Sequence, residues 1–88
     1  MAKSIIGPGQ TGTIGAAWSH LHSLLRPKHY IPPNFSKYGG RVSFARANYK
    51  GYCIEFYSDR GGWYGVTFIG KRNEKIRREL RKLAGLKT

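Results

Sequence analysis

The sequence predicts an α+β fold in which two helices cover one face of a three-stranded antiparallel meander, in the order α-β-β-β-α. Residues 41–69 hold three runs rich in β-branched and aromatic side chains, RVSFARANY, YCIEFYS and WYGVTFIG, parted by turn formers. Apolar residues recur at helical spacing before these runs and again after them. A single cysteine in 88 residues rules out a disulfide scaffold, so a hydrophobic content of 40% must hold the fold by packing alone.

The elements follow in order. Residues 1–10 (MAKSIIGPGQ) are expected to form a flexible N-terminal arm, with a short extended piece at Ser4–Ile6 at most, and residues 11–88 a single basic α+β domain. A first helix is expected from about Thr13 to Leu25. Ile14, Ala17, Trp18, Leu21, Leu24 and Leu25 share one face, Thr11 or Thr13 caps it, and Pro27 disfavours helix at Arg26. Its opposite face, Gly15, Ala16, Ser19 and Ser23, is small and uncharged. The stretch Lys28–Gly40 is long for a connection, which marks it as functional or as packed by Tyr30, Phe35 and Tyr38.

Among the strands, Lys50–Gly51 suits a tight hairpin and Ser58–Gly62 a longer one. Alternation puts Val42, Phe44, Ile54, Phe56, Val66 and Phe68 on the inner face. The outer face then receives Arg41, Ser43, Tyr49, Cys53, Glu55, Tyr57, Trp63 and Thr67. In the last helix Asn73 suits the N-cap, Glu74 the first turn, Gly85 the C′ position and Leu86 the apolar C″. Ile76, Leu80, Leu83 and Ala84 form its apolar stripe, and Lys75, Arg77, Arg78, Arg81 and Lys82 spread across the opposite arc.

Charge points to the partner. The net charge is +12, and residues 71–88 alone contribute +6. Such an excess calls for a polyanion, because cations on one ridge neutralise backbone phosphates and release counterions. The expected function is therefore non-enzymatic binding of nucleic acid, DNA or RNA, through Lys71, Arg72, Lys75, Arg77, Arg78, Arg81 and Lys82, with Arg60 and Trp63 at a hairpin tip for orientation or stacking. The open sheet face, with Tyr49 and Tyr57 near Arg41 and Arg46, offers a second stacking surface.

Two other classes compete. One is a protein-interaction module, a small inhibitor or accessory subunit on an acidic protein surface, using the neutral face of the first helix and residues 28–40. The other is a metal-independent ribonuclease, in which His29, Tyr30 and arginines move protons and stabilise charge.

Other motifs carry less. Gly7-Pro8-Gly9-Gln10-Thr11-Gly12 satisfies G-x-G-x-x-G, but no convincing strand precedes it and no acid follows about 20 residues on, so no dinucleotide cofactor is expected. His20 and His22 point apart on a helix and lack further ligands nearby, so no metal is expected. Cys53 reads as a small strand residue, and Glu55, Asp59, Glu74 and Glu79 lack paired-carboxylate spacing. No apolar run reaches the roughly 18 residues of a membrane span, and MAKSIIGPG does not read as a signal peptide, which predicts a cytoplasmic protein.

The α-β-β-β-α order resembles the double-stranded-RNA-binding domain, and Lys71-Arg72-Asn73-Glu74-Lys75 stands where that family begins its last helix with lysines. IRRELRKL replaces the family's alanine-rich final helix, so the chain is not assigned to it.

Overall fold

The computed structural model describes residues 4–9, 12–31, 42–59 and 62–86. The elements are β1 (Ser4–Gly9), α1 (Gly12–Leu25), β2 (Lys28–Tyr30), β3 (Val42–Tyr49), β4 (Tyr52–Asp59), β5 (Tyr64–Ile69) and α2 (Glu74–Leu83). All strand pairs are antiparallel and the sheet order is β1-β5-β4-β3-β2. The α+β class agrees with the sequence; the expected three-stranded sheet is corrected to five strands. β3 to β5 are the predicted meander, with one further strand on each border. No helix among the described residues is long and apolar enough to cross a membrane.

Both added strands hide behind residues that normally break strands. β1 lies within the expected N-terminal arm and contains Gly7, Pro8 and Gly9, yet it pairs with β5, and Ile5 and Ile6 are fully buried. A border strand tolerates such residues because only one of its edges must join the ladder. The register shifts twice, between Ser4 and Ile6 and between Ile6 and Gly9. At Gly7 φ is +67°, and a Cβ would stand 2.5 Å from the carbonyl oxygen of Tyr64, so only glycine fits. β2 is three residues long and follows Pro27 directly. Phe35 and Tyr38, expected to pack the long connection, lie outside the described residues.

The β3 register corrects the expected face assignment. The Lys50–Gly51 hairpin pairs Tyr49 with Tyr52, which sets Phe44 opposite Tyr57 and Ala45 opposite Phe56. Cross-strand partners share a face. Phe44 and Val42 therefore lie with Glu55, Tyr57 and Thr67 on the open face, while Ser43, Ala45, Ala47 and Tyr49 lie under the helices with Ile54 and Phe56. Alternation within β3 alone cannot tell which of its two faces is inner; the two-residue turn decides it.

Both helices pack on that inner face. Ala17 and Leu21 of α1, and Ile76, Leu80 and Ala84 beside α2's end, meet Ile5, Ile6, Ala45, Ile54, Phe56, Val66 and Phe68 in one core. Leu24 and Leu83, expected in the helical stripes, are instead 51% and 41% exposed. The α2 caps match the sequence. Asn73 Oδ1 accepts from the Ile76 amide at 3.2 Å, and Gly85 at φ +86° closes the helix with Leu86 N donating to Arg81 O at 2.9 Å and Gly85 N to Lys82 O at 3.0 Å.

Candidate nucleic-acid interface

The cations of α2 divide into two sets. Arg77 and Arg81 stand on the flank facing β1. Arg77 Nε donates to the Ser4 carbonyl and Arg81 Nη1 to the Ile5 carbonyl, each at 2.8 Å. Arg77 also pairs with Glu74 at 3.2 Å, and Arg72 with the same carboxylate at 2.7 Å. Partial burial pushes the Glu74 carboxyl up, but the hydrogen bond and charge of Arg72, with the charges of Arg77 and Arg78, outweigh it and hold it below its ordinary value. These guanidiniums tie the helix to the sheet border.

Lys75, Arg78 and Lys82 form the other set. Their i, i+3, i+7 spacing places them on one arc, opposite Ile76, Leu80 and Ala84. All three are exposed, and none hydrogen-bonds or ion-pairs among the described residues. With Glu79 they line a groove of about 320 Å³. Glu79 is already engaged: its Oε1 accepts from Lys50 Nζ at 2.6 Å and from the Tyr49 hydroxyl at 3.0 Å. The Lys50 hydrogen bond, followed by that of Tyr49, lowers the Glu79 carboxyl, and the same contact raises the Lys50 ammonium.

Trp63 is not part of this ridge. It is 43% exposed, and its amide donates to Asp59 Oδ1 at 3.1 Å. The head of α2 lies at the other end of β4, where Asn73 Nδ2 donates to the Tyr52 hydroxyl at 2.6 Å. Eight residues of β4 at about 3.4 Å each separate the two ends by roughly 24 Å. Lys71 is exposed just before α2, and Arg60 lies outside the described residues.

The open sheet face carries aromatics together with Lys28 and Arg46, while Arg41 lies outside the described residues. The Tyr30 hydroxyl donates to Glu55 Oε2, Arg46 Nε stands 3.7 Å from the same carboxylate oxygen, and the Arg46 guanidinium lies 4.1 Å from the Tyr30 ring centre. Burial, then the hydrogen bond and charge of Glu55, push the Tyr30 phenol up to about 12, against a smaller opposing pull from Arg46. Tyr57 is raised by burial first and then by the charges of Asp59 and Glu55. It packs over Gly65, where a Cβ would come within 2.2 Å of its ring. Tyr49, expected on this face, is on the other.

The Tyr30 triad makes a checkable statement about pH. The folded phenol titrates near 12 and the unfolded one near 10, so the protein holds this proton more tightly when folded. The resulting stability is fully present below about pH 10 and is lost as pH rises through about 12. Subtracting the tyrosinate absorbance titration of Tyr30→Phe from that of the parent should reveal one component near 12, moving down in Glu55→Gln.

Sequence reasoning missed one grouping of side chains. A cavity of about 220 Å³ opens between α1 and the sheet, lined by Trp18, His22, His29, Ser43, Phe56 and Ser58 among others. The α1–β2 connection creates it. Arg26, at φ +49°, turns the chain back while its amide still bonds to His22 O at 2.8 Å, and Pro27 leads at once into β2. His29 pairs with Ala45 and so lies on the helix side of the sheet, whereas Tyr30 pairs with Phe44 and lies on the other. His29 and Tyr30 therefore do not share a site. The brevity of the Arg26–Pro27 connection was the available signal that His22 and His29 border one cavity.

The first three residues of the glycine-rich segment lie inside a strand, β1, rather than after one. The chain then crosses α1 into a strand on the opposite border of an antiparallel sheet, so the parallel βαβ unit of a dinucleotide site does not form. No cluster of three or more His, Cys, Asp or Glu side chains suited to a metal occurs among the described residues. Compared with protein-family models, curated proteins and solved structures, the chain matches none.

Proposed function

We propose that this chain binds nucleic acid, DNA or RNA, through the phosphate backbone, with Lys75, Arg78 and Lys82 as the principal contacts and Lys71 beside them. The observation that carries this reading is the outward ridge of three cations that form no ion pair with a carboxylate among the described residues, in a chain of net charge +12. Arg72, Arg77 and Arg81 contribute to the local field while serving the fold. Phosphate contacts of this kind position a strand without reading its sequence.

Binding to a mixed-sequence DNA duplex, measured across salt concentration, tests the ridge. Replacing Lys75, Arg78 and Lys82 together by Ala should shrink the log–log salt slope by nearly 3, from about 0.9 per lost contact. An unchanged slope removes α2 from the interface. Tight binding to an acidic protein in place of nucleic acid would transfer the ridge to the protein-interaction class.

A further inference from the structure

We infer that the cavity between α1 and the β2–β3–β4 end of the sheet is a metal-independent RNA-cleaving site, with His22 and His29 as its proton-transfer pair; this rests on the nucleic-acid reading above. The two imidazoles line one recess with the hydroxyls of Ser43 and Ser58, which face each other as a cross-strand pair. No carboxylate belongs to the lining, so nothing there repels a phosphodiester.

The two histidines are positioned differently. His22 is clamped by aromatic rings: Trp18 stacks on it at 4.9 Å between centres, and Phe56 meets it edge-on at 5.5 Å. Trp18 is itself fixed by its indole N–H, which donates to the Gly65 carbonyl at 3.2 Å. The His22 ring is thus held by a rigid support, as acid–base chemistry requires. His29 is exposed on β2, its backbone set by the pairing with Ala45. Neither imidazole has a hydrogen-bond partner among the described residues, so their ring nitrogens remain available for proton transfer. Packing accounts for a histidine at position 22, but not for one at exposed position 29 on the same cavity.

The chemistry needs no further reactant. One imidazole takes the proton of a ribose 2′-hydroxyl as that oxygen bonds to the adjacent phosphorus. The bond from phosphorus to the 5′ oxygen breaks, and the other, protonated imidazole donates its proton to that leaving oxygen. The products are a 2′,3′-cyclic phosphate and a 5′-hydroxyl, with no water, metal or redox partner consumed. Ser43 and Ser58 have hydroxyls to donate to the phosphoryl oxygens. The substrate class proposed is single-stranded RNA, whose unpaired backbone can bend a 2′-hydroxyl and its phosphate into a recess of about 220 Å³.

The test incubates the full chain with a labelled, mixed-sequence single-stranded RNA in EDTA and analyses fragment ends, alongside RNA binding and a thermal melt of each variant. The expected result is fragments with 2′,3′-cyclic phosphate and 5′-hydroxyl ends, and no cleavage of a 2′-deoxy copy. His29→Gln and His22→Gln should each slow cleavage by about 100-fold or more, within the range that general acid–base groups supply, while binding stays unchanged. If His22→Gln melts early because it supports Trp18, exposed His29→Gln decides alone. RNA bound but left intact overturns the cleavage site and leaves the phosphate-binding reading standing; RNA neither bound nor cut removes both. Cleavage at the parental rate by His29→Gln also overturns the assignment.

Discussion

Phe56→Ala should cost about 3–5 kcal/mol and leave the protein near the limit of folding, because large-to-small changes in a closed core lose both transfer energy and packing. Phe56 is fully buried at the centre of the sheet, between Ala45 of β3 and Val66 of β5. Above it stand Trp18, at 5.8 Å between ring centres, and His22. Ala45 is too small to fill the vacated space, and Trp18 is held by its bond to Gly65, so the site cannot collapse. In a domain of this size each kcal/mol lowers the melting temperature by roughly 4–8 °C, so calorimetry should show a fall of about 12–40 °C. A loss under about 1 kcal/mol would place the core elsewhere.

The second large effect separates cations that sequence treats as equals. Replacing Arg77 and Arg81 together by Met keeps their apolar stems but removes the guanidiniums that bind the Ser4 and Ile5 carbonyls. Hydrogen bonds with a charged partner contribute about 1.5–3 kcal/mol each; as both side chains are partly exposed, a combined loss of about 2–4 kcal/mol is expected. Arg78→Met and Lys82→Met, one residue away in sequence, should change stability by no more than about 0.5 kcal/mol. Denaturant midpoints of the two pairs would decide it. Equal effects would mean that the flank and the crest of α2 are not distinct, and the ridge would lose its structural basis.

The last helix was the most legible part of the chain because several independent signals agreed there. Asn73, Glu74, Gly85 and Leu86 each do what their chemistry suggests at a helix end, and the amphipathic period leaves one way to dock. What periodicity could not give was the reach of each arginine. Arg77 and Arg78 are neighbours in sequence, yet one turns to a strand that local pattern hides behind Gly7, Pro8 and Gly9. β3 failed differently. Its small residues, Ala45 and Ala47, face the helices, and its bulky Phe44 faces away, the reverse of what hydrophobicity alone implies. Ala45 joins the core beside Phe56, and that placement is a tertiary matter invisible in the strand's own residues. The His22–His29 cavity was hidden for a related reason: it is made by a tight reversal at Arg26, a non-glycine residue in a left-handed conformation.

The border position of β1 has a consequence for how the protein is made. Ile6 of β1 lies opposite Val66 of β5, with α1, β2, β3 and β4 between them in sequence. During synthesis the amino-terminal segment leaves the ribosome long before its partner strand exists, and the arginines that clasp its carbonyls come later still. Its two isoleucines, buried in the folded domain, therefore lack their strand partner until β5 has been made.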